Sequence, residues 1–394
     1  MDRSADVVVI GGGVNGTSIA MHLATMGAGR VLVVERGHLA AGGSGRSGAM
    51  VREHYQHPAL VRMAMEASEV FHNFGDAVGG DARFVETGRL LLFAERDAET
   101  VRANVAMNRA LGVEISALTP PEISEIIPQA FTDGVALAVY EPSSGHADPV
   151  ATTYAYAERA RAHGAGVLTG CEVTGIRVAG GRVAGVETPE GLIEADAVVA
   201  AAGPWVNGLA APLGEILPVT PVRVQMVHMR RPPALESLTI AVADGLTGGY
   251  IRAGEGFNTL VGGEAAEDFS EVSDPDDFST TADHETIARF WNRAKLRFPD
   301  FAAATPLGGY AALYDMTPDG NPVLDASGVV GGLYWAVGFS GHGFKLSPVV
   351  GRMVAELVLH GESSRHPISP FRMGRFADGE HLETEHPYEG WMHP

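Results

Sequence analysis

The segment from Asp6 to Arg36 narrows the possible folds more than any other part of this chain. Asp6-Val-Val-Val-Ile10 is a short apolar strand. It breaks into Gly11-Gly12-Gly13-Val14-Asn15-Gly16, which opens a helix, and a second apolar strand, Val31-Leu-Val-Val34, ends on Glu35-Arg36. In a β-α-β unit of this kind each glycine has a task. Gly11 allows the tight turn out of the strand, Gly13 lets a pyrophosphate approach the backbone, and Gly16 lets helix and sheet pack closely. The helix N-terminus offers N–H groups and the positive end of its dipole to phosphate. Glu35 stands 19 residues after Gly16, where a carboxylate accepts hydrogen bonds from ribose hydroxyls. With 50 glycines in the chain, the bare glycine spacing says little; the surrounding strand, helix, strand and acid make it a dinucleotide signal. Glu35 points to a free ribose hydroxyl, hence NAD or the ADP half of FAD, while Arg36 leaves a 2′-phosphate in play. The fingerprint alone does not separate NAD from FAD.

Composition removes other classes of function. The 394 residues give room for a large core and two or three domain-sized units. With 28 basic against 48 acidic residues the net charge is −20, which repels a phosphate backbone, so no nucleic-acid partner is expected. No apolar run approaches the roughly 20 residues that span a bilayer, and no basic amphipathic stretch marks a membrane surface. The chain enters its first strand almost at once, leaving no room for a secretory signal peptide. A single cysteine, Cys171, excludes an intramolecular disulfide. Both features fit a cytoplasmic location. The fifteen histidines include a scattered C-terminal group, His381, His386 and His393, without metal-ligand spacing, and no metal site is expected.

After Glu35 comes a loop too glycine-rich for an ordinary helix, Gly37 to Tyr55, whose small residues let backbone pass close to a ligand. The pattern then predicts helices from His57-Pro58 to about Phe74, from Glu95 to Ala110, from Pro120 and from Asp148-Pro149 to about His163, with a strand at Leu90–Phe93. Short β segments follow at Val167–Leu168, Val173–Val178, Val183–Glu187 and Asp196–Ala202, with Gly180-Gly181 as a hairpin turn. From about Pro218 to Tyr314, strands alternate around one helix, Asp283 to Arg297. The acidic run from Glu267 to Asp277 reads as a solvated loop. Residues 1–85, 146–217 and 320–365 read as three pieces of one nucleotide domain. Residues 86–145 and 218–319 read as an inserted substrate domain, and 366–394 as a polar tail draped over the surface.

A second glycine motif lies at Trp335-Ala-Val-Gly338-Phe-Ser-Gly341-His342-Gly343-Phe344-Lys345-Leu-Ser-Pro348. Again a strand ends, glycines turn and a helix begins, giving another anion-friendly helix N-terminus. Two such sites suit a long ligand touched at both ends, one holding a pyrophosphate and the other facing the pyrimidine edge of a flavin. A second β-α turn without a ligand is the alternative. Lys345 is one of only two lysines, with Lys295, against 26 arginines.

With these residues in order, the chain resembles the D-amino-acid oxidase superfamily of FAD-dependent oxidoreductases, closest to its sarcosine oxidase and glycine oxidase branch. Four landmarks carry the resemblance across nearly the whole chain. They are Gly11–Gly16 with Glu35, Ser44-Gly-Arg-Ser-Gly-Ala-Met-Val-Arg52-Glu-His-Tyr55, Ala201-Ala-Gly203-Pro204-Trp205, and Gly338-Phe-Ser-Gly-His-Gly-Phe-Lys345. The resemblance implies an α/β fold: a Rossmann-like FAD domain, discontinuous in three segments, with an inserted antiparallel-sheet α+β substrate domain. It implies FAD contacts at Gly11, Gly13, Val14, Asn15, Gly16, Glu35, Arg36, Ser44, Arg46, Ser47, Gly48, Val173, Gly203, Trp205, Gly341, Gly343, Phe344 and Lys345. Arg52 and Lys345 match the arginine and lysine that clamp a substrate carboxylate in monomeric sarcosine oxidase. His342 would line the pyrimidine edge, and Tyr250 joins the catalytic group. Tyr55 and Arg252 are weaker pocket candidates. An arginine fork with a lysine point charge is a physically sound way to hold a desolvated carboxylate.

The chain also departs from its relatives. It has no late cysteine for covalent flavin attachment. Cys171 reads as a small core residue on a strand near the adenine. Ser47 stands about where other relatives attach FAD through histidine, so non-covalent FAD is expected, with His54 a residual candidate. Where monomeric sarcosine oxidase carries a lysine over the flavin, this chain reads Asn258-Thr-Leu260-Val-Gly262, which leaves oxidase against dehydrogenase open. The reaction implied is oxidation of a carboxylate-bearing amine, a secondary or N-methyl amino acid, by hydride transfer to flavin, with oxygen or an electron-acceptor protein as partner. The alternatives are a 2-hydroxy-acid dehydrogenase on the same fold and a non-catalytic flavoprotein that assists assembly of a complex.

Overall fold

In the computed structural model, which describes residues 4–254 and 256–388, two large sheets meet along the glycine loops. The first has eight strands. Ser4–Ile10 lies at its centre, parallel to Val31–Val34 on one side and to Gly191–Ala200 on the other. Gly166–Leu168 extends it beyond Val31–Val34, and Leu333–Val337 pairs parallel with the end of Gly191–Ala200. Its central strands are near-continuous Val, Ile and Ala. Strands covered on both faces have no use for polar alternation, and Val8, Val9, Val198 and Val199 are wholly buried. The start of Gly191–Ala200 instead forms a hairpin with Arg182–Thr188, which pairs with Gly175–Ala179 across Gly180-Gly181.

Two helices, Val14–Thr25 and Gly343–His360, cross over one face of this sheet. Their contact depends on a missing side chain, because a Cβ on Gly351 would lie 2.1 Å from Ser18 Oγ. Ser18 Oγ donates to Ser347 O at 2.7 Å across the same crossing. The crossing brings the two helix starts together, and a Cβ on Gly343 would lie 2.8 Å from Asn15 Nδ2. The helix Pro149–Ala162 begins at Asp148, whose Oδ1 accepts the N–H groups of Val150 and Ala151, both at 2.9 Å.

The second sheet has nine strands, contributed by Arg89–Phe93, Ser116–Leu118 and Leu137–Glu141 and by the stretch from Thr220 to Met316. It is antiparallel except at one place. Ala241–Asp244 pairs parallel with Arg89–Phe93, where the two chain stretches join. The two strands enter from different parts of the chain, so no hairpin forces them to run in opposite directions. A small three-stranded sheet of Met50–Val51, Val85–Glu86 and Gly145–His146 lies beside the point where the chain passes between the large sheets.

Three expectations need correction. Val173 does not open a strand. Residues 171–174 cross the end of the parallel sheet as a connector, held by Cys171 N donating to Glu35 O at 3.0 Å, and the strand begins at Gly175. Cys171, on that connector, is buried. The acidic run is not simply solvated, because Asp268 is buried against Arg289 and Arg293, and Asp276 pairs with Arg36. The C-terminal stretch does more than drape over the surface. Phe371 and Arg375 are each 1 % exposed and Tyr388 is 7 % exposed, because their apolar and hydrogen-bonding groups find partners inside the body of the protein. His393 lies outside the described residues.

Candidate active site

The first β-α turn and the glycine loop after it wall a cavity of about 670 Å³. Gly11 has φ +105°, and a Cβ there would lie 2.4 Å from Ala201 O, so only glycine suits the turn. Ser44 Oγ accepts the N–H of Val14 at 3.0 Å, which draws the loop onto the start of the first helix. Glu35 accepts the N–H groups of Gly12 and Gly37, each at 2.7 Å, fixing its carboxylate at the cavity wall. Val173 and Gly203 line the same wall. At its rim Arg36 lies 4.2 Å from the Trp205 ring centroid, and both bind Asp276, at 2.7 and 2.8 Å. Asp276 thus ties the acidic loop of the second sheet to the nucleotide side. Val14, Asn15, Gly16 and Gly343 lie behind the wall, not in it. Gly16 is needed for packing, since a Cβ there would lie 2.0 Å from Gly11 O.

Gly43, Arg46 and Ala312 border this cavity and also a second one of about 130 Å³, so the two run end to end. The second gathers Ser47, Gly48, Arg52, Tyr250, Gly341, His342, Phe344 and Lys345. Residues more than 290 positions apart in sequence are therefore neighbours here. Tyr55 also lines it; Arg252 does not. Sequence reasoning did not find Arg89, Glu264, Tyr310, Tyr314 and Tyr388, which complete the wall. For Arg89 a signal was present: a charge opening the apolar run Arg89-Leu-Leu-Leu-Phe93. It pairs in register with Glu141, and the two side chains form a buried ion pair at 3.3 Å.

The polar groups are tightly coupled. Glu141 also accepts the N–H groups of Glu53 and His54, at 2.9 and 2.7 Å. Its burial works to raise its pKa, but Arg89, His54 and Arg52 hold it below the ordinary value. Arg52 donates to His54 O and stacks 4.1 Å from the Tyr55 ring centroid. His342 Nε2 lies 2.7 Å from Gly320 O, which makes it the N–H side of the ring; Nδ1 is then the acceptor for Tyr55 OH at 3.3 Å. His54 Nε2 meets Tyr388 OH at 2.9 Å, and burial pushes His54 down to about 4, so it stays neutral. Lys345 is buried. Desolvation, then Arg52 and Arg89, bring its pKa well below the ordinary lysine value, against the opposing pull of Glu264 and Glu141. Burial raises the Tyr250 phenol to about 12. Its buried hydroxyl has no partner among the described residues and faces Gly48, where a Cβ would lie 3.1 Å away.

Such a site reserves a backbone-lined groove for a dinucleotide and sets a small cationic chamber at its far end. That combination suits a protein that binds a dinucleotide cofactor. The chain belongs to the FAD dependent oxidoreductase family, whose model matches residues 6–357. It is 31 % identical to the FAD-dependent oxidoreductase domain-containing protein 1 of Bos taurus, over 95 % of this chain and 85 % of that protein. It is 29 % identical to the glycine oxidase of Geobacillus kaustophilus, over 95 % of this chain and 98 % of that one. In structure it is similar to the L-proline dehydrogenase of P. horikoshii, with a TM-score of 0.88 at 29 % identity, covering 97 % of this chain and all of that one. The protein is thus an FAD-dependent oxidoreductase. The residues present fit that cofactor: Gly11, Gly13 and Gly203 line the groove without side chains, a Cβ on Gly203 would meet nothing within 4 Å, and the buried Tyr250 hydroxyl has no partner among the described residues. No helix among the described residues is long and apolar enough to cross a membrane.

Proposed function

We propose that this protein oxidises a small amine that carries a carboxylate, a secondary or N-methyl amino acid, to the imine. The observation that carries this reading is the pairing of Arg52 and Lys345 in one buried chamber. Burial first, and then the neighbouring charges of Arg52 and Arg89, hold the Lys345 pKa well below the ordinary lysine value. A substrate carboxylate offsets the cost of burying these charges, which makes the chamber selective for such a group. Arg89 is bound by Glu141, and Arg52 and Lys345 line the chamber beside that ion pair.

FAD, when bound, supplies the two-electron acceptor for hydride removal. The protein's part is binding, orientation and electrostatics. The Gly11–Gly16 turn, Glu35 and Ser44 hold the nucleotide end, and Arg46, Ser47 and the Gly341–Lys345 turn border the chamber where the chemistry occurs. Tyr55 and His342 steady the Arg52 side through stacking and a hydrogen bond. Tyr388 and Tyr314 close the wall and exclude water. The reading takes FAD as held non-covalently, in keeping with Cys171 lining neither cavity and with the Nε2 atoms of His54 and His342 engaged by Tyr388 and Gly320.

Replacement of Lys345 by Met tests the reading. It removes one charge with little change of volume. The reading expects a loss of about 2–5 kcal/mol in carboxylate binding, at least tenfold, with FAD content retained. Unchanged affinity for small carboxylates, followed through the flavin spectrum, would overturn it.

A further inference from the structure

The chamber contains one carboxyl among its described wall residues, that of Glu264. It follows the strand Asn258–Gly263, whose cavity face is read off the pairing register. Gly262 lies opposite Tyr250, and Glu264 N donates to Gly248 O at 2.9 Å, so the same ladder continues past the strand end. Residues two apart share a face. Glu264 therefore stands on the Tyr250 side of the sheet, one step beyond Gly262. That glycine leaves the approach open, since a Cβ there would lie 2.8 Å from Met226 Sδ. The charged groups facing Glu264 come from three other elements: Arg89, Arg52 and Lys345. Tyr250 and Tyr314 feel its charge from two more. Yet its side chain makes no hydrogen bond or ion pair with any described residue, while Glu141 holds Arg89.

A chamber lined by Arg52, Arg89 and Lys345, with one carboxyl that makes no hydrogen bond or ion pair with any described residue, is complementary to a zwitterion. We propose that Glu264 is the residue that recognises the substrate's ammonium group and accepts a proton from it. This rests on the amine-oxidation reading above. The step moves one proton: the ammonium nitrogen loses it and regains its lone pair, and the Glu264 carboxylate becomes a carboxylic acid. Only the neutral amine has the lone pair that drives oxidation of the neighbouring C–H. Burial raises the Glu264 pKa against the pull of Arg89, Arg52 and Lys345, which makes the group a better proton acceptor than an exposed glutamate. A 2-hydroxy acid offers no cation to this carboxyl.

The test compares wild-type holoenzyme with Glu264→Gln and Glu264→Asp, using sarcosine, glycine and L-proline as amine probes and acetate as the carboxylate-only probe. Anaerobic flavin bleaching reads the reaction, and flavin spectral shifts read acetate binding. For Glu264→Gln the rate of bleaching at neutral pH should fall about 100-fold. Its pH optimum should move to the alkaline side, where the amine is neutral in solution, while acetate binding is not weakened. Glu264→Asp, which keeps the charge, should recover part of the rate and the wild-type pH profile. Bleaching by Glu264→Gln at wild-type rate and with the wild-type pH profile would overturn the assignment and leave the amine-oxidation reading standing. Failure of wild-type protein to bleach with any of the three amines would overturn both. Should Glu264→Gln lose FAD, the wild-type protein still decides. Sarcosine must bleach it faster than lactate does, and the reverse order counts against a carboxyl that reads the amine.

Discussion

At the scale of single residues, charge and the absence of Cβ atoms do most of the work. Lys345 is the sharpest case. Its pKa in the ligand-free protein is well below that of a free lysine, through burial first and then Arg52 and Arg89. A bound carboxylate favours the protonated form and raises that pKa. Carboxylate affinity is therefore greatest below the ligand-free pKa of Lys345 and falls as pH rises through it. Acetate titrations across pH should show that decline, and Lys345→Met should flatten it. Gly11 is the counterpart at the nucleotide end. Its φ of +105° and the 2.4 Å approach to Ala201 O leave no room for a methyl group. Gly11→Ala is expected to cost about 1–3 kcal/mol in backbone strain and to be isolated with less bound FAD, read from the ratio of flavin to protein absorbance. Both residues were legible in the sequence. Gly11 stood in a spaced motif, and Lys345 was rare in a chain rich in arginine. Glu264 was not legible, because one acid after a glycine pair has no pattern, and only the ladder shows which way it faces.

Elements position these residues through contacts that local sequence does not encode. The helix Gly343–His360 starts where His342 is held, and His342 is held by Gly320 O. The turn carrying Gly320 is fixed in its turn by Asp319, whose carboxylate takes two bonds from Arg375, at 2.8 and 2.9 Å. Arg375 Nη2 also donates to Asn321 O at 2.8 Å. A residue of the C-terminal stretch thereby braces the turn behind the chamber. The two side chains of this pair are 1 % and 3 % exposed. Arg375→Met leaves a buried carboxylate without its partner and should destabilise the fold by about 3–5 kcal/mol. The dependence on pH has a definite sign. Burial works to raise the Asp319 pKa, but the bonds from Arg375 hold it below the ordinary value. Its stabilising contribution is thus present above the unfolded carboxylate pKa, near 3.9, and disappears as pH falls through the lower folded value. The gap in melting temperature between wild type and Arg375→Met should be widest near neutral pH and narrow in acid. Periodicity and capping residues marked the helices well, with Pro58 and Pro149 opening theirs as expected. The parallel join of Ala241–Asp244 to Arg89–Phe93 carried no such mark, since pairing between distant stretches depends on the rest of the sheet.

Across the whole molecule, the site is assembled from both ends of the chain. The glycine turns near residues 11 and 341 border the two joined cavities, and the last described residue, Tyr388, closes the chamber against His54 and Phe93. Tyr388→Ala should open that wall and admit bulkier amino acids while leaving the carboxylate clamp in place, which a substrate-size series would show. The fold class was readable because its two motifs sit in complete strand–turn–helix contexts. The closing role of the C-terminal stretch was hidden by its polar composition, which conceals three buried side chains, Phe371, Arg375 and Tyr388. The central claim is that Arg52 and Lys345 hold the carboxylate of an amine for oxidation beside FAD. Its most direct test is anaerobic titration of the purified flavoprotein with matched pairs of amino and hydroxy acids, followed by absorbance near 450 nm. The account predicts bleaching by a small amino acid, strongly reduced in Lys345→Met. Bleaching by hydroxy acids alone, or equal bleaching of wild type and Lys345→Met, would contradict it.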